Sequence, residues 1–463
     1  MTRPPALITD GMNTLLVQIV LRLVLLLVSA ARFFPFVLLT VLVLKYTRRV
    51  SVLPGVPKLE GLSFLGVILL SMRHGASEVV AKLLDVATDG ISYASVAGNI
   101  LVFVHDTAMI RQLLAMPEEF VSRESTKDST GFSPTWLLRR IVGPSLPNYS
   151  GPHLGTFRAG FIREFNSTES LARNFDTMRK LAQTHVDDLI DRKASSTIVD
   201  IIPRMDVFAI SLWRNLLYGS SDSETDSCAL SLAKEIGARV TDPWPSLWYS
   251  INVILGLVKA GEPLGSDKAL RTQLDNLIDR SVQNLEMHEH LNPEAPPTSL
   301  RGLSTRTHGS VIEGLSPTAI EFARLNAFAG NETFGYNLAW LLIELDKRPE
   351  CLKRLLAEID SSDTEDFKTV NSKMPYVNAV IEEINRLHPP IASTFRTVNR
   401  EVSVTSRKSR YTLPPGTLVL LALGCANRAR KDWGEDADHF KPERWLENKE
   451  GGPSHLAFGY GWI

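Results

Sequence analysis

Four short segments of this 463-residue chain carry side chains able to do chemistry. The first is Ala329-Gly330-Asn331-Glu332-Thr333. Small residues at Ala329 and Gly330 let a flat ligand lie close to backbone, and a carboxylate beside a hydroxyl can relay protons at the same place. A glycine inside a helix costs about 1 kcal/mol against alanine, so either chemistry or close packing keeps it there. The second is Glu383-Ile384-Asn385-Arg386, whose Glu and Arg share a helix face and can pair. That spacing alone says little, because Glu321-Phe322-Ala323-Arg324 has it too. The third is Phe440-Lys441-Pro442-Glu443-Arg444-Trp445, a polar turn with aromatic anchors. The fourth, Phe458-Gly459-Tyr460-Gly461, is a glycine-rich turn that lacks the Lys-Ser/Thr of a phosphate loop.

Definite elements must hold these groups. Ser316 as N-cap and Pro317 at the first helical position open a long helix reaching about Asp346, which carries the first segment. Further helices are expected over Pro349–Ile359 and Tyr376–Leu387, the latter carrying the second. Beyond Pro389, Phe395–Val404 and Tyr411–Leu421 alternate as short strands around Pro414-Pro415-Gly416. Upstream, Ile91 to His105 is a hairpin around Gly98-Asn99, and Thr107–Met116 a helix. Residues 121–152 are rich in Ser, Thr, Gly and Pro and are expected mostly as loop. His153 to Leu291 is helical, with breaks near Ser167, Ser195–Thr197, Gly219–Ser223 and Gly261–Gly265. Within it, Asp242–Tyr249 followed by Ile251–Val258 is a membrane-dipping patch if exposed and a core helix if buried. Residues 292–316 are expected as a long surface connection. The fold class is mainly α with a minor β region.

Taken in order, the four segments resemble the cytochrome P450 superfamily. That family has a small-residue, acid-Thr motif in its long central helix, then an ExxR helix, a PERF/PERW segment and the loop FxxGxRxCxG. The matching positions here are Ala329–Thr333, Glu383/Arg386, Pro442–Trp445 and Phe458/Gly461, with gaps of 51, 61 and 14 residues between Glu332, Glu383, Arg444 and Phe458. Pro414-Pro415-Gly416-Thr417 stands where the family carries its P-x-G-T turn. The resemblance covers roughly residues 50–461.

It implies a haem-dependent monooxygenase acting on a hydrophobic small molecule with O2, in secondary-metabolite biosynthesis, with electrons from NADPH through a membrane-bound reductase. Ala329 and Gly330 would form the oxygen groove, and Glu332 with Thr333 would deliver protons there. Glu383, Arg386 and Arg444 would form a buried charge network. Arg396 would bind a haem propionate, with Arg158 alike from an earlier helix, although Leu154 stands where Trp or His often precedes that arginine by four. Phe458 and Gly461 belong to the loop under the haem, Phe458 packing beneath the proximal ligand. The family's iron ligand is a cysteine thiolate, which by spacing would fall at position 465, beyond Ile463, so none of the residues given is a metal ligand. Trp462-Ile463 reads as a departure from family sequence, as if an intron were read through or a frame lost. If the chain ends there, the other function class is a catalytically dead remnant acting as a binding or scaffold protein.

Other features narrow the setting. Lys and Arg (50) nearly balance Asp and Glu (51), so no basic excess points to nucleic acid. Cys228, Cys351 and Cys425 are scattered, with no zinc or disulfide pattern. No GxSxG or HExxH supports a hydrolase. Leu15 to Leu44 is almost wholly apolar, and the 22 residues Leu23–Leu44 are enough to cross a bilayer core of about 30 Å as one segment or two. Lys45, Arg48 and Arg49 follow, which orients the remainder toward the cytosol. The expected layout is an anchor over 1–49 in the endoplasmic reticulum membrane, a proline hinge over 50–60 and a catalytic domain over 61–463.

Overall fold

A computed structural model describes residues 52–59, 84, 87–96, 99–123, 134–144, 152–195, 200–254, 256–308, 314–447 and 454–459. The apolar stretch Leu15–Leu44 and the anchor built on it lie outside these residues. Among the described residues, no helix is long and apolar enough to cross a membrane.

The elements follow the expected alternation closely. Strands β1 (Ile91–Val96) and β2 (Asn99–Val104) form the hairpin, with Val96 opposite Asn99. Asp106 caps α1 (Thr107–Ala115), accepting from the Met109 amide at 2.8 Å. β3 is Val121–Ser122, and then come α2 (Pro134–Val142), α3 (Pro152–Phe161) and a π-helical turn over Ile162–Asn166. α4 (Thr168–Ser195), α5 (Ile201–Tyr218), α6 (Ser223–Thr241), α7 (Pro243–Ile254), α8 (Ser266–Leu291) and α9 (Ser299–His308) make the helical body. The central helix α10 (Pro317–Asp346) is followed by α11 (Pro349–Asp360), α12 (Phe367–Ser372) and α13 (Pro375–Leu387). Strands β4 (Thr394–Val398), β5 (Val402–Thr405), β6 (Arg410–Leu413) and β7 (Leu418–Leu421) precede the short helices α14 (Leu423–Ala426), α15 (Arg430–Trp433) and α16 (Glu443–Glu447).

Two expectations are corrected. Residues 121–152 are not mostly loop where described, because β3 pairs with β4 and Pro134–Val142 is helix. Residues 292–316 are not merely a surface connection, because Leu300 and Leu303 are fully buried one turn apart on α9. That face packs into the main helical core with Phe322 and Ala323 of α10. Burial of an i, i+3 pair against a neighbour outweighs the low helix propensity of Ser, Thr and Gly.

The strands lie in the order β1-β2-β7-β4-β3, with β2 and β7 parallel, while β5 and β6 pair separately. The segment 52–59 is tied to β1: the Leu59 amide donates to Tyr93 O at 2.8 Å, and the Tyr93 amide to Pro57 O at 2.9 Å. A sheet core gathers Tyr93, Val102, Val419 and Leu421, while a helical core surrounds α10.

Two junctions fix the neighbours of α10. His388, just past α13, stacks on Trp340 with ring centroids 3.9 Å apart and meets Glu344 at 3.0 Å. Arg140 on α2 is fully buried and donates to Arg239 O at 3.0 Å and Pro245 O at 3.3 Å, while its Nε faces Asp267 at 3.3 Å. Its guanidinium also lies over the Tyr249 ring, and the Tyr249 hydroxyl accepts from the Gly261 amide at 2.7 Å. The α7 segment is therefore neither wholly core nor wholly surface: Tyr249 is buried, while Trp248 is 62% exposed and Leu257, just beyond the helix, is 69% exposed.

Candidate active site

α10 starts where the Ser316 hydroxyl accepts from the Ala319 amide at 3.2 Å, and its 30 residues run about 45 Å through the body. Halfway along, the Ala329–Thr333 segment sends neighbouring side chains to different sides. Ala329, Gly330 and Thr333 are partly buried, and the Thr333 hydroxyl donates to Ala329 O at 2.7 Å. A Cβ on Gly330 would lie 2.6 Å from the Asn326 amide nitrogen, so the surface there is bare backbone flanked by one movable side chain. Buried Asn331 turns elsewhere and donates to Ala327 O at 3.1 Å. The Glu332 carboxylate lies over Gly237 of α6, about a van der Waals contact from where a Cβ there would be. Partial burial raises the proton affinity of Glu332, Asp206 of α5 raises it further, and Lys234 of α6 opposes both. The acid and the hydroxyl are adjacent in sequence but roughly 100° apart around the helix.

Glu383, Arg386 and Arg444 form one bonded cluster. Glu383 and Arg386 have no exposed surface, and Arg444 is buried. Arg386 donates to both Glu383 oxygens at 2.8 Å, and Arg444 Nε adds a third bond at 3.0 Å. The Lys441 amide and the Trp445 indole complete the carboxylate shell at 2.8 and 2.9 Å. Burial pushes the Glu383 carboxyl up, but the bonds and charge of Arg386, the Lys441 amide and Arg444 outweigh it and hold it below its ordinary value. Arg386 spends its remaining donors on Asn427 O, Ala437 O and His439 O, at 2.9, 2.6 and 3.0 Å. A charge burial that costs several kcal/mol is tolerated because every member is paired.

Arg396 sits on β4, 9% exposed, donating to Phe395 O at 2.8 Å and Thr394 Oγ1 at 3.2 Å. Burial and then the charge of Arg123 lower its pKa to about 10, against a weaker pull from Glu118. Arg123, just after β3, is itself depressed by burial and by Arg158 of α3, and Arg158 by burial. Three cations thus act on one another in one region, beside Glu118. Residues of that charge fit the two propionates of a haem. Arg123 was not foreseen; its only signal is an arginine directly after a short strand in a segment read as loop.

The other expected positions give less. Phe458 is 74% exposed, with its ring 6.0 Å from that of His455, and Gly461 lies outside the described residues. Burial raises the Cys425 thiol, which disfavours its thiolate. Among the described residues no cluster of His, Cys, Asp and Glu could hold a metal ion.

Comparison with known proteins accounts for this geometry. The family model described as Cytochrome P450 matches residues 57–462. Cytochrome P450 monooxygenase claQ of Ampulloclitocybe clavipes is 37% identical over 188 residues, covering 37% of this chain and 35% of its own. Secologanin synthase 1 of Catharanthus roseus is 27% identical over 308 residues, covering 59% and 53%. The matched segments thus span about a third to a half of these relatives. The fold resembles that of the retinoic acid-bound cyanobacterial CYP120A1, with a TM-score of 0.64 at 19% identity over 89% of this chain and 87% of that one. With the family model matched over most of its length and the ordered motifs built into one helical body, this chain belongs to the cytochrome P450 family.

Proposed function

We propose that the protein is a haem-dependent monooxygenase that places one oxygen atom from O2 into an apolar small molecule of secondary metabolism. The observation that carries this reading is the grouping of buried Arg396 with the partly buried Arg123 and Arg158, whose charges would suit the two propionates of a haem. Bound there, the haem supplies oxygen activation. The chain's residues do the rest. Ala329 and Gly330 leave room at the α10 backbone, Thr333 holds a hydroxyl proton beside that groove, and one residue away stands Glu332, whose proton affinity is raised by partial burial and by Asp206. The Glu383 network keeps α13 and the segment leading to α16 in register beneath the site. The names of claQ and secologanin synthase 1, a monooxygenase and a synthase, support an oxidation in a biosynthetic setting.

Electrons would come from NADPH through a membrane-bound reductase, with the body facing the cytosol at the endoplasmic reticulum. Support comes from the apolar run Leu15–Leu44 followed by Lys45, Arg48 and Arg49, and from exposed Trp248 and Leu257, which suit a lipid surface through which an apolar substrate arrives. The reading is tested by reducing the complete protein with haem, adding carbon monoxide and recording its spectrum. A red-shifted Soret band typical of thiolate ligation is expected. Its absence leaves the non-catalytic binding protein as the better description.

A further inference from the structure

α5 and α10 meet closely at Gly335. A Cβ there would stand 2.6 Å from Asp206 Oδ1 and 3.0 Å from the Asp206 nitrogen and the Met205 carbonyl carbon, so the Asp206 carboxylate occupies the space that a side chain would fill. Gly335 lies three residues after Glu332, hence on the same face one turn along. On the opposing helix α6, Lys234 lies three residues before Gly237, the position covered by the Glu332 carboxylate. Two glycines therefore let a second carboxylate and one lysine gather around Glu332. Asp206 is only 7% exposed. Nothing in the packing of α5 requires an acid there; an apolar residue would be cheaper in that interface.

We propose that Asp206 is a positioning residue for Glu332: the two carboxylates share the single cation Lys234 and so retain one exchangeable proton between them, beside the oxygen-side face of α10. This inference rests on the reading of Glu332 as a proton donor. The charged groups facing Glu332 are Asp206 on α5 and Lys234 on α6. Burial raises Asp206 as well, with Lys234 the opposing charge, so one proton held by the pair serves two groups that both favour it. When Glu332 gives up the shared proton toward the Thr333 side, both carboxylates are left ionised beside Lys234, the O–H bond broken at Glu332 is remade with a proton from bulk water, and no electron moves.

The test is an infrared pH titration of the full chain. Subtracting the E332Q spectrum from the wild-type spectrum isolates the carboxyl band of Glu332. D206N is expected to move the midpoint of that band down by about one pH unit, a tenfold loss of proton affinity, and D206E to restore it. K234M is expected to move it up. A midpoint unchanged in folded D206N overturns the proposal; should D206N not fold, an unchanged midpoint in K234M does so. The carbon monoxide spectrum is independent of this readout. A red-shifted band with an immobile titration removes only the role of Asp206, whereas a moving titration without that band keeps the shared proton and removes the oxidation it would serve.

Discussion

The indole N–H of Trp445 donates to the Glu383 carboxylate at 2.9 Å across 62 positions of sequence, on a side chain that also binds Arg386 and Arg444. One buried acid thus joins α13 to α16. Replacing it by glutamine strands two buried guanidinium groups, and Glu383→Gln is expected to cost about 3–5 kcal/mol in denaturant unfolding. That is a large part of what a domain of ordinary stability possesses. A variant unfolding at the wild-type midpoint would refute the structural role of the network.

The same acid sets a pH limit. Its folded pKa lies below the unfolded value, so its stabilisation is complete above about pH 4.3 and is lost as pH falls through the folded pKa. His388 acts earlier. Burial lowers its pKa despite the Glu344 partner, so the unfolded chain takes up a proton first as pH falls below about 6.5. The urea midpoint is expected to be flat above neutrality, to decline gently below about pH 6.5 and to drop steeply below about pH 4. His105 and His185, also depressed by burial, add to that decline, so His388→Asn should lessen it while leaving the steep drop in place.

Arg396→Ala separates ligand binding from stability. The crowded cations repel one another, so removing one should leave the thermal midpoint of haem-free protein unchanged or higher, while haem affinity falls about tenfold or more, in line with a lost charge-assisted contact. Titration with hemin measures the second effect and calorimetry the first. A fall in stability with unchanged haem affinity would contradict the propionate assignment.

Two glycines of α10 should respond differently to alanine. At Gly335 the new Cβ meets the Met205 and Asp206 backbone of α5 at 3.0 Å, which cannot yield cheaply, and a loss of about 1–3 kcal/mol is expected. At Gly330 it meets only the end of the Asn326 side chain, which can rotate, so stability should rise slightly with helix propensity while the groove is narrowed. Thermal unfolding and haem loading of both variants measure the contrast.

The sequence made the long helix legible because Ser316 and Pro317 mark its start chemically, and α10 begins there. It could not distinguish Glu383-Arg386 from Glu321-Arg324 by spacing. The fold does so: Arg324 reaches past its own helix to Asp275 at 2.7 Å, on the surface side of the body, while Arg386 is sealed beneath Trp433. Ordered motifs and the family resemblance resolved what periodicity left open. α9 escaped notice because its residues are weak helix formers whose helicity comes from burying Leu300 and Leu303. Arg123 and Asp206 escaped for a related reason: the function of each depends on charges that only tertiary packing brings near.

The buried Arg140 has a consequence for how the molecule can open. Its guanidinium is held by carbonyls at Arg239 and Pro245, a carboxylate at Asp267 and the ring of Tyr249, all on the corner running from the end of α6 to the start of α8. Peeling α7 away alone would strip a dry positive charge of two of its four anchors, the Pro245 carbonyl and the Tyr249 ring. Any swing of that corner must therefore carry α2 along as one rigid flap, or first let water reach the arginine.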